Sequence, residues 1–331
     1  MKRINNLYSE IISLENLRLA DKVARKGKKG NTSVQQHIRN ADANLLQLHE
    51  LLKAERFTTS EYRVFTVFEN KERTIHSLPY YPDRIVHHAI MNVLEPIFIR
   101  TFTNDTYGSI KGRGLHLAAN KLRRALRDEC GTQYCLKLDI KKFYPSVNND
   151  ILKSQLRRKI KDAKLLRLLD NIIDSAKGLP IGNYMSQYLS NFYLSSFDHY
   201  VKEILKVKHY FRYVDDIVIL ASTKQELHET LYKLKSYLQE ILKLKSYLQE
   251  ILKLKIRDNY QVFPVKSRGI DFLGYVFFHS HIKIRKSIKQ RFAKMLFTSI
   301  NEASLAAYNG WLKSYLQEIL KLKIRENYSI T

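Results

Sequence analysis

Two aspartates stand side by side, Asp215-Asp216, inside the otherwise apolar run Phe211-Arg-Tyr-Val-Asp-Asp-Ile-Val-Ile-Leu220. A bare carboxylate in a buried strand is costly. Successive strand residues face opposite ways, so both side chains can project together only where the chain turns, at the tip of a hairpin. A third carboxylate, Asp139, closes the alternating stretch Tyr134-Cys-Leu-Lys-Leu-Asp139. Taken alone, Asp139 reads equally well as an ordinary strand-end or helix-capping residue. Three carboxylates gathered at strand ends suit a hard cation with oxygen ligands, Mg²⁺ above all.

The composition says what such a cation would act on. Fifty-seven Lys and Arg against 32 Asp and Glu leave a formal charge of +25 at pH 7, an excess that requires an acidic partner. A hydrophobic content of 44%, with 21 Tyr and 15 Phe, excludes an extended basic tail, because that much apolar and aromatic surface offsets the entropy of ordering the chain. Eleven Gly and six Pro are too few for a collagenous or linker-like protein, so helices should be prominent. Cys130 and Cys135 form no CxxC pair, and the expectation is a cytosolic protein without disulfides. Met1 is followed by Glu10 and Glu15 rather than by the apolar core of a secretion signal, and no segment approaches the ~18 uninterrupted apolar residues of a membrane span. Carboxylate-held Mg²⁺, strong positive charge and abundant aromatics together point to phosphoryl transfer on nucleic acid.

The elements that must position these groups follow from periodicity. Apolar residues at helical spacing predict one helix over residues 5–25 and another over 33–56, separated by the basic, glycine-broken loop Arg25-Lys-Gly-Lys-Lys-Gly30, which reads either as a surface loop or as a phosphate contact. Residues 62–68 and 74–80 flank a basic turn and predict a hairpin. Helices are expected over 84–98, 149–169 and 185–205, strands over 134–139 and 210–220, a strand pair over 270–278 and mainly helix over 286–331. Strands separated by helices, without a glycine fingerprint of a βαβ unit, favour an α+β fold. The histidines at 87, 88, 279 and 281 lack zinc-ligand spacing and read as surface or packing residues. The ten residues Leu234–Lys243 recur unchanged as Leu244–Lys253, and Leu244–Tyr260 recurs as Leu312–Tyr328 with Asp258 replaced by Glu326. Ten residues do not match 3.6 per turn, so a helix carrying both copies rotates its apolar stripe and part of 230–255 is expected to project into solvent.

Several of these segments resemble one family. Tyr213-Val-Asp-Asp216 is similar to the YxDD box of reverse transcriptases, and Leu136-Lys-Leu-Asp-Ile-Lys-Lys-Phe-Tyr-Pro-Ser146 resembles their first palm motif. Upstream, Leu78-Pro-Tyr-Tyr-Pro-Asp-Arg-Ile-Val86 and Tyr107-Gly-Ser-Ile-Lys-Gly-Arg-Gly114 resemble fingers segments shared with group II intron enzymes. Downstream, Phe272-Leu-Gly-Tyr275 resembles the primer-grip hairpin. Within the family, Ile181-Gly-Asn-Tyr-Met-Ser-Gln187 carries IGxxxSQ, where most members have glutamine in place of Ile181 and proline in place of Gln187. That form resembles the reverse transcriptases of diversity-generating retroelements.

The resemblance implies a right-hand polymerase with a ferredoxin-like antiparallel palm sheet: an N-terminal helical extension (1–58), fingers (59–133), palm (134–280) and a short helical thumb (281–331). It implies an RNA-directed DNA polymerase that copies template-repeat RNA into cDNA mutagenised at template adenines. Asp139, Asp215 and Asp216 would be catalytic and, with the Ile140 carbonyl, would hold two Mg²⁺ ions, Mn²⁺ being a substitute. Lys71 and Arg73 fall on the fingers hairpin that grips the triphosphate, as suits a fork of guanidinium donors. Tyr144 falls on the steric gate that excludes a 2′-hydroxyl, with Phe143 taking the role if the register slips by one. Ile181, Gly182 and Gln187 fall on the incoming-base pocket, where isoleucine removes a hydrogen-bonding reader. Phe272, Leu273, Gly274 and Tyr275 form the primer grip, and Lys266 falls where the family protonates pyrophosphate. Expected partners are template RNA, the cDNA primer–template, deoxynucleoside triphosphates and a basic accessory variability protein, in the cytoplasm of a bacterium or from a phage. The stretch after residue 280 is short for a ribonuclease H, maturase or endonuclease domain, which makes those partners the more necessary. The competing readings are a retron, abortive-infection or CRISPR-associated reverse transcriptase, and a polymerase-derived protein that binds RNA without catalysis.

Overall fold

A computed structural model describes residues 3–28, 30–68, 72–239, 252–298 and 308–310. Polar residues cut both N-terminal helices of the sequence reading in two. Ser13 leaves helical geometry at ψ 141° and its hydroxyl accepts from Asn16 N at 3.2 Å, separating α1 (Tyr8–Ile12) from α2 (Leu14–Ala24). Asn40 separates α3 (Thr32–Arg39) from α4 (Ala41–Lys53). The hairpin follows as β1 (Arg63–Phe68) and β2 (Glu72–Ser77), paired from Arg63 opposite Ser77 to Phe68 opposite Glu72. Its tip, with Lys71, lies outside the described residues.

Helix α5 (Ile85–Ile99) is buried along most of its length, from Ile85 to Phe98, because α2 packs on one side of it and the helix Tyr184–Tyr193 on another. Asn16 donates its amide to Ala89 O at 3.0 Å and accepts from Asn92 at 2.8 Å, which sets the register of α2 on α5.

The chain continues through β3 (Thr106–Tyr107), α6 (Leu115–Ala125), β4 (Tyr134–Asp139) and α7 (Phe143–Ser146). The helix expected over 149–169 is two, α8 (Asn149–Lys159) and α9 (Ala163–Asp174). Asp162 divides them: one carboxylate oxygen caps α9 at Leu165 N (3.2 Å), and the other accepts from Leu7 N (2.8 Å) and Tyr8 N (2.9 Å). One side chain thus ends a helix and ties the N-terminal segment to it. Likewise 185–205 resolves into α10 (Tyr184–Tyr193), α11 (Ser195–His199) and a wider turn over Tyr200–Ile204. Next come β5 (His209–Tyr213), β6 (Asp216–Ala221), α12 (Lys224–Gln239), β7 (Gln261–Pro264), α13 (Val265–Arg268), β8 (Ile270–Phe272), β9 (Tyr275–Phe277), β10 (Ile282–Ile284) and α14 (Lys286–Thr298).

A five-stranded sheet in the order β3-β5-β6-β4-β7 organises the molecule. It is antiparallel except for the two-residue parallel pairing of β3 with β5. Alternation along the strands divides its side chains between two cores. Leu136, Leu138, Ile217 and Ile219 face the larger core with α5, α8, α9 and α10. Cys135, Phe211, Val218 and Leu220 face a second core closed by α6 and by the small sheet β10-β9-β8. With both faces covered, β6 reads as an unbroken apolar run rather than an alternating one. Leu273 and Gly274 join β8 to β9 with φ 54° and 86°, the two left-handed positions of a tight hairpin turn.

Of the repeated sequence, residues 240–251 and 312–328 lie outside the described residues, and with them most of the expected thumb. The described ends of the first duplication and its flanks are packed: Leu231, Leu234, Leu238, Leu252 and Leu254 are all buried. No helix among the described residues is long and apolar enough to cross a membrane.

His87 and His88 are packing residues, as expected, but buried ones. Burial, then the charges of His88 and Arg84, push His87 down to about 3; burial, then Arg84 and Lys28, push His88 down to about 4. Between those values and 6.5 the unfolded chain binds more protons than the folded one. The histidines therefore contribute full stability above pH 6.5 and lose up to about 1.4 kcal/mol each per pH unit below it. The difference in urea midpoint between pH 7.5 and 5 should shrink in His87→Gln relative to the unaltered chain, a comparison that cancels other groups titrating in that range. An equal difference in both proteins would contradict the assignment.

Candidate active site

The site begins with a strained turn. Between β5 and β6 the chain reverses at Val214-Asp215, and Val214 adopts φ 58°, a left-handed conformation that a β-branched residue avoids unless its surroundings hold it there. Val214 N donates to Tyr107 O at 3.3 Å, and Val214 O accepts from Arg212 Nη1 at 2.8 Å. Gly108 lies against this turn: a Cβ there would meet Val214 Cγ2 at 3.0 Å and the Tyr213 ring at 3.1 Å, and its φ of 85° itself favours glycine.

Arg212 is wholly buried and is held in turn. Its Nε donates to Asp198 Oδ1 (2.7 Å), Nη2 to Asp198 Oδ2 (2.5 Å) and Nη1 also to Asn191 Oδ1 (3.0 Å). Further polar groups join the cluster. Tyr210 and Thr106 hydroxyls donate to the two Asp198 oxygens (2.5 and 2.7 Å), and Asn191 donates to Gly108 O (2.9 Å). Burial and then the Asp198 charge hold the Tyr210 hydroxyl protonated far above its ordinary range.

The turn delivers the carboxylates. Asp216, first residue of β6, sits directly opposite Asp139, last residue of β4, and opposite Tyr213 on β5. Burial, then the charge of Asp139, pushes Asp215 up to about 6. Asp216 is also pushed up to about 6 by burial, with Lys137 opposing and Asp139 reinforcing. Asp216 Oδ1 is buried with no hydrogen-bond partner. Crowded, partly desolvated carboxylates with an unpaired oxygen form an oxygen donor set that fits a hard divalent cation. Two basic groups stand beside it. Lys137 Nζ lies 3.7 Å from Asp216 Oδ2 while donating to Asp271 O, and Arg257 Nε lies 2.9 Å from Asp139 Oδ2. Among the described residues no three His, Cys, Asp or Glu side chains already close on a common metal position. Ile140 is buried and pairs across a single bridge with Ile256.

The other expected residues divide around this centre. After the left-handed Lys142 (φ 46°), Phe143 turns into the core while Tyr144 remains partly exposed and close enough for the Asp215 charge to act on its hydroxyl. The loop before α10 docks on the same place: Leu179 N donates to Tyr144 O at 2.9 Å, and a Cβ on Gly178 would meet that carbonyl at 2.7 Å. Its other end meets the hairpin. His76 N on β2 donates to Ile181 O at 2.8 Å, and a Cβ on Gly182 would lie 2.6 Å from His76 O. The loop carrying Ile181 and Gly182 thus joins Tyr144 of α7 to the hairpin. Gln187 is exposed on α10, Arg73 is exposed on β2, and Lys266 is exposed on α13. Phe272 and Tyr275 are buried in the second core and flank the Leu273-Gly274 turn, with Arg285 N donating to Gly274 O at 2.9 Å. Lys137, bound to Asp271 O, links that hairpin to Asp216.

Arg212, Asp198, Asn191, Lys137 and Arg257 carry the geometry and were not singled out from the sequence. The available signal was Arg212 itself, a cation inside an apolar strand that must have a buried partner. Nothing in sequence spacing says that the partner is Asp198.

Known proteins are similar to this chain in sequence and in fold. The reverse transcriptase (RNA-dependent DNA polymerase) family matches residues 65–277. The chain is 29% identical over 155 residues to protein YkfC of Escherichia coli, covering 43% of this chain and 40% of that one. It is 25% identical over 142 residues to the group II intron-encoded protein LtrA of Lactococcus lactis, covering 40% and 23%. It therefore spans less than half the length of these relatives. In fold it is similar to the apo telomerase of Candida tropicalis, with a TM-score of 0.51 at 10% identity over 70% of this chain and 49% of that one.

Asp198→Asn would leave the buried Arg212 charge without its counter-ion. Loss of about 3–5 kcal/mol of unfolding free energy is expected, measured by urea denaturation; a loss under about 1 kcal/mol, the range of an exposed pair, would show that the network does not carry the turn.

Proposed function

Because the chain belongs to the reverse transcriptase (RNA-dependent DNA polymerase) family, we propose that it extends a DNA primer on an RNA template by nucleotidyl transfer. The observation that carries this reading is the placing of Asp216 directly opposite Asp139 beside a strained hairpin tip that carries Asp215, with one buried carboxylate oxygen left unpaired. These three would hold Mg²⁺, or Mn²⁺ in its place, with the Ile140 carbonyl beside them. Bound there, the ions supply activation of the primer 3′-hydroxyl and stabilisation of the leaving pyrophosphate.

The chain's own groups position and neutralise. Arg73, with Lys71, would take the triphosphate by charge-assisted hydrogen bonds. Tyr144, held by the 178–182 loop, would pack against the sugar where a 2′-hydroxyl would collide. The tight Leu273-Gly274 turn would present backbone to the primer strand. Lys266, exposed on α13, would be the candidate proton donor. In this reading residues 59–133 are fingers and 134–280 palm, with the helical extension 1–58 before them and the thumb over 281–331. The formal charge of +25 supports a polyanionic substrate, template RNA paired with growing cDNA.

Within the family we read the chain as the enzyme of a diversity-generating retroelement, acting with a basic accessory protein. Support comes from Ile181-Gly182 followed by Ser186-Gln187. An isoleucine against the incoming base removes a hydrogen-bonding reader, a physical route to lax selection opposite template adenine.

Primer extension on RNA with Mg²⁺ is expected from the unaltered chain, and Asp215→Asn should lower it about a thousandfold or more. Equal extension by both would refute the catalytic reading. Ile181→Gln should retain extension while reducing errors opposite adenine, scored by sequencing the cDNA; an unchanged error spectrum would remove the support for the retroelement assignment.

A further inference from the structure

The cation nearest Asp139 belongs to the chain itself. Arg257 lies on a short segment laid antiparallel to the end of β4: its backbone N donates to Asp139 O at 2.9 Å, Lys141 N donates to Lys255 O at 2.8 Å, and Ile256 bridges Ile140. The segment is firmly seated. Leu254 and Ile256 are buried, and Leu254 N donates to Leu238 O at 3.0 Å. The Arg257 side chain is held differently. Its Nε is 2.9 Å from Asp139 Oδ2, yet that Nε makes no aligned hydrogen bond, and both side chains keep about a third of their surface in water, 34% and 32%. Attraction here is by charge alone, without the directional bonds that fix Arg212 to Asp198. An ion pair of this kind is weak and easily exchanged.

We infer that Arg257 is a placeholder cation: in the metal-free protein its guanidinium neutralises Asp139, and it gives up that carboxylate when a divalent cation is bound, while its backbone stays in place. The inference rests on the reading of the three aspartates as metal ligands. It follows from the asymmetry of the two arginines. Arg212 has all three side-chain nitrogens hydrogen-bonded and no exposure, so it cannot exchange, whereas Arg257 has a seated backbone, a partly exposed side chain whose Nε makes no aligned hydrogen bond, and a partner carboxylate read as a metal ligand. The segment also belongs to the repeated stretch Leu244–Tyr260, so one basic residue of that repeat acquires a role from its place beside β4.

The test is Mn²⁺ binding, followed by calorimetry and by electron paramagnetic resonance of free Mn²⁺, with no template or nucleotide present. Four full-length proteins are compared: unaltered, Arg257→Gln, Arg257→Lys and Asp215→Asn. Removing the competitor should tighten Mn²⁺ binding about fivefold in Arg257→Gln, the equivalent of an exposed ion pair, and less in Arg257→Lys. Without metal, Arg257→Gln should melt below the unaltered chain, and saturating Mn²⁺ should close that gap. Unchanged or weaker Mn²⁺ binding in Arg257→Gln, with the gap persisting at saturation, overturns the inference while leaving the metal site standing. If Asp215→Asn binds Mn²⁺ as the unaltered chain does, the metal-site reading falls and this inference with it. Should Arg257→Gln fail to fold, arginine Nε–H resonances of the unaltered chain, assigned with Arg257→Lys, decide the matter: the Arg257 signal should move on saturation with Mg²⁺, and a signal that does not move overturns the proposal.

Discussion

Arg212 and Asp198 meet where no water reaches either of them, and the rest of the site depends on that pair. Two charges taken out of water are stable together only when their geometry is good and every remaining donor and acceptor is used. Here Tyr210, Thr106, Asn191 and the Val214 carbonyl complete the set. The last of these bonds matters most for function. It grips Val214, a β-branched residue held in the left-handed region, and so holds the reversal that carries Asp215 and starts β6 at Asp216. A stabilising network in the core thereby supports a strained conformation at the surface.

The carboxylates it delivers are under the opposite regime. They are crowded and only partly solvated, and burial with mutual repulsion raises Asp215 and Asp216. Such a centre gains from any positive charge brought near it. Among the described residues Lys137 and Arg257 stand within ion-pair distance, neither of them aligned to the carboxylates by a full set of hydrogen bonds. The large positive surplus of the whole molecule belongs to a different scale: it acts at range on a polyanion, whereas the site requires positive charge within a few ångströms.

Much of the architecture was legible. Alternation located β4, the apolar run around Asp215-Asp216 implied a hairpin, and the turn at Leu273-Gly274 followed from its residues. Helix boundaries were not legible, for one recurring reason: Ser13, Asn40 and Asp162 each interrupt an apolar periodicity that continues in step on both sides, so a window of periodicity runs across the break. Asp162 shows why the break was hidden, since its second carboxylate oxygen is bound to Leu7 and Tyr8, more than 150 positions away. Which of the adjacent aromatics Phe143 and Tyr144 turns into the core was likewise not legible in the sequence, because packing after the left-handed Lys142 decides it.

By itself the sequence determined the residue chemistry: three carboxylates between apolar strands, a strongly basic chain, and ordered blocks that identify a polymerase family. These are local properties, set by residue type, strand periodicity and the cost of burying a bare charge. The tertiary structure alone decided which charges meet. That Arg212 pairs with Asp198, that Arg257 reaches Asp139 and that Gly182 must admit His76 depend on contacts between segments distant in the chain, where sheet order and helix packing, rather than sequence spacing, set the distance.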